Sequence, residues 1–562
     1  MFIMASNVSP IWYWLVLAVY CVFVIYLGYD AYKKQKSTTN AEDENHDFWI
    51  IGRTQPAYMV GMAVASGWML IGMITWMTWA TYDLGLSGLW VVAIPWFISN
   101  IVQFCLARPL RRIKAISQCE MLQNRFGLSA RILSSPINIF SYTIWSAAEL
   151  YAAALIMAPA LGISVNWMIV IYAIPIAIYM YMGGFRSVIN ANILQFFMGA
   201  IILVVVAIAM YFTARGIAID QHTTIWALLK DQSVVNGMAY PAKSSAHATD
   251  LFGFVSLAFP IVVMIGLVPG WGAAEDFWLK AQSAVSTREA RKGAIYSLIY
   301  NTTLIVGCAS FIGIMGLIIF KPEVKDGVLS AAAALGDKGG YNVITVYINQ
   351  YMSPWIKAFL IFLLSAHTMS TVANYSNVCA MNVSYDVLQP LWYRKRNWSN
   401  EKIVKWSRMI TFIMVILNIG IAMLYNSPVV GATLNDAYFL SSGLLTAGIS
   451  VMLYSLWWKR ANLTGVMLGG ISGIIGTFVF FILEYKVWKF SYTMPVFDWI
   501  FGKGAMASTY LGYCVVGLVF GLAGLIIGTY LTAPPTDKQL SAIADEPIDD
   551  AATFFEAIRI NS

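Results

Sequence analysis

The feature that most constrains this chain is the recurrence of apolar stretches long enough to cross a lipid bilayer. A transmembrane helix needs about 20 consecutive, mostly apolar residues, and the 562-residue chain contains about thirteen such stretches. They predict an all-α polytopic membrane protein. The stretches are roughly 11–29, 56–84, 86–107, 135–160, 165–182, 188–213, 253–275, 294–320, 356–386, 404–424, 430–457, 463–484 and 508–532.

Composition supports this class and excludes several others. Hydrophobic residues make up 59% of the chain and charged residues 11%, whereas soluble domains carry about 25% charged residues. Disordered proteins, nucleic-acid-binding proteins and secreted disulfide scaffolds are therefore excluded. The six cysteines show no CxxC spacing and the four histidines are scattered, so no spacing indicates a metal site.

The distribution of positive charge predicts the orientation. The first stretch lacks the basic segment of a cleavable signal peptide and is followed by Lys33, Lys34 and Lys36. With residue 1 outside, 25 of the 35 Lys and Arg fall on the inner side and 10 on the outer side. Because inner loops are enriched in Lys and Arg, we expect an N-out, C-in protein. The absence of a cleavable signal peptide and of paired cysteines on the outer side favours a bacterial inner membrane.

The segments between the stretches are too short for a sizeable soluble domain. The longest are 214–252 and 321–355, and no phosphate-binding GxxxxGK[ST] motif is present. These observations argue against a sensor with a signalling module and against an ATP-driven pump. No ring of like charges suggests a channel. The sequence also argues against an enzyme, because Glu149, Asp436 and His367 are isolated from other catalytic residue types.

Two of the apolar stretches are interrupted by helix-breaking residues. In 56–84, Gly67 and Gly72 bracket four residues. In 253–275, Pro260 and Gly266 precede the pair 269–270, Pro-Gly, which we expect to break the helix. Interrupted helices in corresponding halves mark the binding site of many secondary transporters. Since five spans separate the two, they fit an inverted 5+5 repeat.

Depth in the membrane then suggests an ion site. At about 1.5 Å per residue, Ser66 to Met69 lie near the middle of the second stretch, and Ser370 and Thr371 lie near the middle of the ninth. Two adjacent hydroxyls and carbonyls freed by an unwound helix would suit sodium, since hard cations prefer oxygen ligands. The alternative is that the two hydroxyls serve helix packing or bond to the preceding turn.

Several ordered motifs resemble the sodium/solute symporter family, which includes sugar, proline, pantothenate and choline cotransporters. Three positions depart from its pattern: Cys119 replaces a proline, Asn192 replaces an aspartate, and 280–282 blurs a Gln-Arg pair. The segments that carry the resemblance are 48–53, which is one residue longer than the family's F-x-x-G-R, Y-x-x-G-L at 82–86, the R-F-G loop at 108–127, the G-G segment at 183–195 and L-T-x-P at 531–535.

The resemblance implies a LeuT-like inverted-repeat core that works by alternating access. It implies a sodium-coupled symporter of a small organic solute, with sodium as the only cofactor. Its sodium ligands would be the side chains of Ser370 and Thr371 and the backbone carbonyls of Ser66, Met69 and His367. The expected organisation is an anchor helix and loop (1–47), a transport core (48–460), two C-terminal helices (461–532) and a cytoplasmic tail (533–562), in a monomer or weak oligomer.

The substrate region is aromatic rather than polar. The stretch from Gly67 through Trp68 to Gly72 offers almost no hydrogen-bonding side chains, so a sugar would leave hydroxyls unpaired at about 1–3 kcal/mol each. Aromatic faces attract organic cations, and Trp68, Trp145 and Trp271 resemble aromatic positions of choline-transporting members. The predicted substrate residues are Trp68, Gly72, Trp145, Glu149 and Trp271.

Glu149 leaves the charge of the solute open. A carboxylate near the bilayer centre is costly unless it has a partner. That partner could be a bound organic cation, a proton or a neighbouring helix. The sequence therefore predicts either an organic cation, such as a quaternary ammonium, or an amino acid or carboxylate.

Overall fold

The computed structural model describes residues 10–38, 48–113, 115–233, 246–254, 256–325, 328–536 and 539–540. Most of the predicted tail, 533–562, and part of the predicted anchor and loop, 1–47, lie outside the described residues. The described chain is almost entirely helical, with one short antiparallel pair of strands, Glu323–Lys325 (β1) and Val328–Ser330 (β2). The all-α prediction is confirmed.

The first half of the chain contains both interrupted spans. They are α1 (Pro10–Thr38), α2 (Ala57–Trp68), α3 (Ile71–Leu84), α4 (Ala93–Arg112), α5 (Gln118–Phe126), α6 (Leu128–Leu161), α7 (Val165–Asp220), α8 (Ile225–Asp231), α9 (Ala258–Gly272) and α10 (Glu275–Gln282).

The main elements of the second half are α-helices and two long π-helical segments. They are α11 (Thr287–Tyr300), a π segment at Asn301–Ala309, α12 (Ser310–Ile319), α13 (Val343–Tyr351), α14 (Pro354–Met381), a π segment at Asn382–Tyr393, α15 (Asn400–Tyr425), α16 (Pro428–Leu444), α17 (Ser450–Tyr454), α18 (Leu463–Ile482), α19 (Pro495–Phe501) and α20 (Gly512–Leu531).

The number of spans stays a prediction. Within the described residues, ten helices are long and apolar enough to cross a membrane, or eleven if the bent pair α2 and α3 counts as one span. The predicted stretches 165–182 and 188–213 both fall on α7, a 56-residue helix that bends at Gly184, where φ is 52° and ψ is −141°. The third predicted stretch falls on α4, whose C-terminal turns carry arginines.

The first predicted break is confirmed. Helix α2 ends at Trp68 and α3 begins at Ile71, and the two helices are bent by 64°. Between them, Met69 and Leu70 leave the helical conformation, with ψ values of 54° and 136°. The flanking glycines therefore marked the break correctly.

The second break lies elsewhere than the sequence predicted. Helix α9 continues through Pro269 and Gly270 and ends at Gly272, and α10 begins at Glu275. Side chains from α17 and the turn before it bond the α9 backbone: the Tyr454 hydroxyl donates to Pro269 O at 2.8 Å, and Thr446 Oγ1 donates to Gly266 O at 2.6 Å. Such bonds allow a proline inside a membrane helix. Trp271 consequently precedes the break rather than following it.

The interrupted helices lie inside the bundle. Helix α2 packs against α7 and α11, and α6 packs closely against α14. Helix α14 also contacts α2, α7 and α10. Residues near the first break, on α6 and in the middle of α14 are thereby brought together, which is the arrangement on which the ion and solute sites depend.

The two C-terminal helices pack closely because glycines face each other. The Cβ that Gly528→Ala adds to α20 would collide with the backbone of Gly465 on α18. We expect a loss of about 1–3 kcal/mol, typical of overpacking, seen as a lower midpoint in thermal unfolding of the detergent-solubilised protein. Gly420→Ala on α15 is the matched control, since its added Cβ would meet no atom within 4 Å. Equal midpoints for the two variants would contradict close packing.

Candidate solute and sodium site

Two of the predicted sodium ligands meet directly. Ser66 Oγ on α2 donates to Ser370 Oγ on α14 at 3.0 Å, and Ser370 Oγ donates to Ser66 O at 3.1 Å. Both side chains are fully buried. The last turn of α2 and the middle of α14 therefore face each other, 304 residues apart in the chain.

His367 joins this site through its side chain, which the sequence analysis did not anticipate. Its Nε2 lies 2.9 Å from Met69 O at the first break, and its Nδ1 lies 2.7 Å from Gln195 O on α7. Both partners are acceptors, so two hydrogen bonds would require both ring nitrogens to carry protons. Helix α7 also approaches closely here, because a side chain at Gly199 would collide with the imidazole ring.

Thr371 offers an oxygen without a partner. Its Oγ1 is buried and has no hydrogen bond in the described chain. Buried hydroxyls normally have at least one partner. An unpartnered hydroxyl beside Ser370 fits the donor set of a hard cation, which accepts hydroxyl and carbonyl oxygens. Two lone pairs on Met69 O would allow that atom to bind a cation and still accept from His367.

Two asparagine side chains form a hydrogen-bonded chain that ends at the backbone carbonyl of Ser370. Asn374 Nδ2 donates to Ser370 O at 2.9 Å, and Asn192 Nδ2 donates to Asn374 Oδ1 at 3.1 Å. In the sequence, Asn192 stood out only because the family has an aspartate at this position. Its place in this chain links α7 to the middle of α14.

Glu149 has backbone partners. Its Oε2 accepts from Ile71 N at 3.0 Å and its Oε1 accepts from Gly72 N at 3.2 Å. These N–H groups are the unsatisfied donors at the start of α3, where a helix also carries partial positive charge. Glu149, on α6, is 2% exposed, so its carboxylate caps the broken helix inside the protein.

The predicted tryptophans fall into two aromatic groups. Trp68 contacts Trp96 with ring centroids 4.5 Å apart, and Trp96 contacts Trp271 at 5.1 Å. Trp145 lies in a second group, 5.8 Å from Tyr375. The sequence grouped Trp68, Trp145 and Trp271 in one solute region. In the structure Trp68 and Trp271 are joined through Trp96, which the sequence did not single out, and Trp145 lies in the other group.

The second aromatic group surrounds Trp145 with tyrosines. Tyr142 contacts Trp145 at 5.5 Å and Tyr375 at 5.2 Å, and Tyr438 lies 6.0 Å from Trp145. All four residues lie within the bundle near Glu149, whose helix carries two of them. Electron-rich faces therefore line the region beside the capped helix.

Asp276 connects the two groups and was missed by the sequence analysis. Its Oδ2 accepts from Trp68 Nε1 at 2.8 Å, and its Oδ1 accepts from the Tyr142 hydroxyl at 3.3 Å. Lys280 Nζ, one turn along α10, lies 3.3 Å from Asp276 Oδ2 and is fully buried. A Cβ at Gly67 would collide with that ammonium group. The sequence did contain a sign of this ion pair, because Asp276 and Lys280 are oppositely charged residues four positions apart in a largely apolar segment.

The family model for sodium:solute symporters matches residues 48–473. This protein belongs to the sodium:solute symporter family. The match covers most of the chain and confirms the resemblance drawn from the motifs. Sodium-coupled symport of a solute by a multi-pass membrane protein is therefore the activity of this chain's family, and sodium is the coupling ion.

Two curated relatives are similar over nearly their whole length. The sodium/proline symporter of Escherichia coli is 20% identical over 94% of this chain and 95% of its own. Sodium/proline symporter 2 of Staphylococcus saprophyticus is 21% identical over 97% of both chains.

Solved structures confirm the LeuT-like fold. A sodium-coupled sialic acid symporter in a substrate-bound outward-open state has a TM-score of 0.69 at 16% identity, over 93% of this chain and 98% of its own. Mhp1, a nucleobase-cation-symport-1 family transporter in a closed conformation, has a TM-score of 0.50 at 11% identity, over 88% and 97%. The family member described here thus shares its broken-helix core with both.

Proposed function

We propose that this symporter couples sodium entry to the uptake of a small organic cation that has no carboxylate, with a quaternary ammonium such as choline as the model solute. The observation that carries the proposal is the position of Glu149. In several transporters the N-terminus of a broken helix receives an anionic group of the substrate. Here the carboxylate of Glu149 already accepts from Ile71 N and Gly72 N.

Charge around this carboxylate favours a cationic solute. Asp276 and Lys280 pair with each other, so an ionised Glu149 has no side-chain counter-ion among the contacts described above. A solute carboxylate would meet like charge at short distance in a medium of low dielectric, which is strongly unfavourable. The faces of Trp145 and Tyr375 would stabilise a cation that needs no hydrogen bonds. Trp68, Gly72 and Trp271 complete the proposed solute site.

We propose a sodium ion at the junction of α2 and α14. Its ligands would be the side-chain oxygens of Ser370 and Thr371 and the carbonyls of Ser66, Met69 and His367. The unpartnered Thr371 Oγ1 supports this assignment. Sodium there would join the broken helix to α14 and so favour one state of the transport cycle, which couples the ion to the solute through linkage.

The second candidate is a sodium-coupled amino acid or carboxylate symporter. It is favoured by the two relatives, whose names give proline as the solute. It requires Glu149 to be protonated or the solute carboxylate to bind away from the start of α3. A sugar is disfavoured, because the stretch from Gly67 to Gly72 offers almost no polar side chains.

A solute panel separates the two candidates. The purified protein would be reconstituted in proteoliposomes and given labelled choline, betaine, proline, acetate or glucose, with and without an inward sodium gradient. We expect sodium-dependent uptake of choline, weaker uptake of betaine because of its carboxylate, and background uptake of proline and acetate. Sodium-dependent proline uptake without choline uptake would overturn the cation assignment in favour of the second candidate.

We propose that the protein lies in a bacterial inner membrane as a monomer or weak oligomer, with thirteen spans, its N-terminus outside and its C-terminus inside. The proposed parts are the anchor and loop at 1–47, the core at 48–460, the helix pair at 461–532 and the tail at 533–562. The Lys33→Cys variant in a cysteine-free background tests the orientation. Labelling of intact cells by a membrane-impermeant thiol reagent would contradict it.

A further inference from the structure

Three segments far apart in sequence bring potential metal ligands together at one end of the bundle. Cys119 lies in the first turn of α5, Glu275 begins α10, and Asp386 lies in the π segment after α14. One ligand atom from each lies within 4.8 Å of the other two, and all three residues are buried. The sequence showed no metal-ligand spacing among its cysteines and histidines, because two of these ligands are carboxylates from other helices.

Two buried oxygen atoms in this cluster have no hydrogen-bond partner. One is Asp386 Oδ2, although Asp386 Oδ1 accepts from Ser117 Oγ at 2.5 Å and from Arg131 Nε at 2.9 Å. The other is Asn138 Oδ1. Buried oxygens are rarely left unpaired, and two in one place point to a ligand that accepts their lone pairs.

The Asn138 amide lies inside the cluster. Its Nδ2 donates to Glu275 Oε2 at 2.5 Å and lies 3.7 Å from Cys119 Sγ. Asn382 Nδ2 also donates to Glu275 Oε2, at 2.7 Å, and Gln118 N donates to Glu275 Oε1 at 3.2 Å. Both oxygens of Glu275 are thus held in place, and Oε1 keeps a lone pair that can bind a cation.

The charges of the cluster suit a divalent cation. When ionised, Glu275 and Asp386 carry two negative charges and Arg131 carries one positive charge. The net charge of the three side chains is then −1. Binding of a divalent cation with loss of the Cys119 proton brings the total to zero. Glu120 lies at the edge, where it accepts from the Tyr385 hydroxyl at 2.7 Å and from a backbone N–H at 2.7 Å.

We propose that Cys119, Glu275 and Asp386 form a site for a soft divalent cation of the zinc class. Asn138 Oδ1 would be the fourth ligand once the amide turns over, because its Nδ2 now faces Glu275 and Cys119. Thiolate ligands favour zinc over magnesium and calcium. With zinc–sulfur and zinc–oxygen distances of about 2.3 Å and 2.0–2.2 Å, tetrahedral ligand atoms lie about 3.6 Å apart. The three ligand atoms now lie within 4.8 Å of one another. Side-chain rotation would have to bring them about 1 Å closer.

The site would hold three moving parts of a transporter together. Helix α5 precedes α6, helix α10 is the second half of an interrupted helix, and Asp386 follows the helix that carries Ser370. Opening this end of the bundle during alternating access would separate the ligands. A bound cation would therefore arrest transport with this end closed. This consequence rests on alternating access, whereas metal binding itself does not depend on the proposed solute.

Cadmium binding tests the site without any transport assay. The full-length protein in detergent, stripped with a chelator, would be titrated with cadmium while the ultraviolet charge-transfer band of cadmium thiolate is recorded. We expect one equivalent to bind, and Cys119→Ser to abolish the band. Cys379→Ser is the matched control, because Cys379 is equally buried but contacts Thr143 and a backbone carbonyl instead of carboxylates. No band, or a band that survives in Cys119→Ser, would overturn the proposal.

The amount of zinc bound by the protein provides a second measurement. Equilibrium dialysis followed by elemental analysis should find one zinc per chain, and Asp386→Asn should weaken binding at least tenfold. The variant retains an oxygen for Arg131 to contact, so a thermal midpoint near that of the parent would show that it folds. Unchanged zinc affinity in Asp386→Asn would contradict the ligand set.

Discussion

Thr371→Val is expected to lower the apparent sodium affinity at least tenfold without destabilising the protein. The hydroxyl that it removes is buried and unpartnered, so its loss breaks no hydrogen bond, and valine fills the same volume. A structural hydroxyl would behave oppositely, because its removal would cost stability and leave sodium dependence intact. Tenfold corresponds to about 1.4 kcal/mol, a modest value for one ligand of a buried ion.

The measurement is the initial rate of solute uptake into proteoliposomes as a function of sodium concentration. The Ser370→Ala/Thr371→Ala double variant should lose sodium-driven uptake altogether, since both side-chain ligands are gone. Thr411→Val is the matched control, because Thr411 is also a buried threonine, but its hydroxyl bonds to Ser407 O in the preceding turn. If Thr371→Val and Thr411→Val give the same sodium dependence, sodium does not bind at Thr371.

Glu149→Gln is expected to raise the Michaelis constant for an organic cation at least tenfold and also to destabilise the fold. Glutamine replaces one of the two carboxylate oxygens by an NH2 group, which cannot accept, so either Ile71 N or Gly72 N loses its partner. A buried N–H without a partner costs about 1–3 kcal/mol. The larger functional effect follows from the loss of the negative charge that would stabilise the bound cation.

Glu484→Gln separates the two effects. Glu484 is also a fully buried carboxylate that caps a helix, since it accepts from Gly512 N at 3.2 Å and Tyr513 N at 3.0 Å at the start of α20. It lies in the C-terminal helix pair, and its hydrogen-bond partners Tyr492, Gly512 and Tyr513 are not among the proposed solute residues. Both variants should lower the thermal midpoint, but only Glu149→Gln should raise the Michaelis constant per folded protein. Similar constants for both would mean that Glu149 only caps α3.

Much of the candidate site could be predicted from local patterns combined with depth. Ser66 and Ser370 were placed at similar depth by counting residues from the ends of their spans, and the two hydroxyls are in contact. The first break was visible because Gly67 and Gly72 flank it. Counting worked because a membrane helix has a constant rise per residue.

The sequence misplaced the second break for a physical reason. Pro269 and Gly270 are poor helix formers, but hydrogen bonds from Tyr454 and Thr446 allow α9 to continue past them. The chain instead leaves the helix at Ala273 and Ala274, whose side chains carry no such signal. The carbonyl of Ala273 accepts from Gln118 at 2.6 Å, a contact between segments 155 residues apart.

The sequence by itself determined that this protein is a helical membrane transporter, because the length of its apolar stretches and the order of its motifs depend only on neighbouring residues. The tertiary structure alone decided which groups each buried charge meets. Glu149 caps α3, Asp276 pairs with Lys280, and Cys119 lies beside Glu275 and Asp386. A charge buried in a bilayer is costly unless it has a partner within the protein, and helix packing sets which partner is in reach.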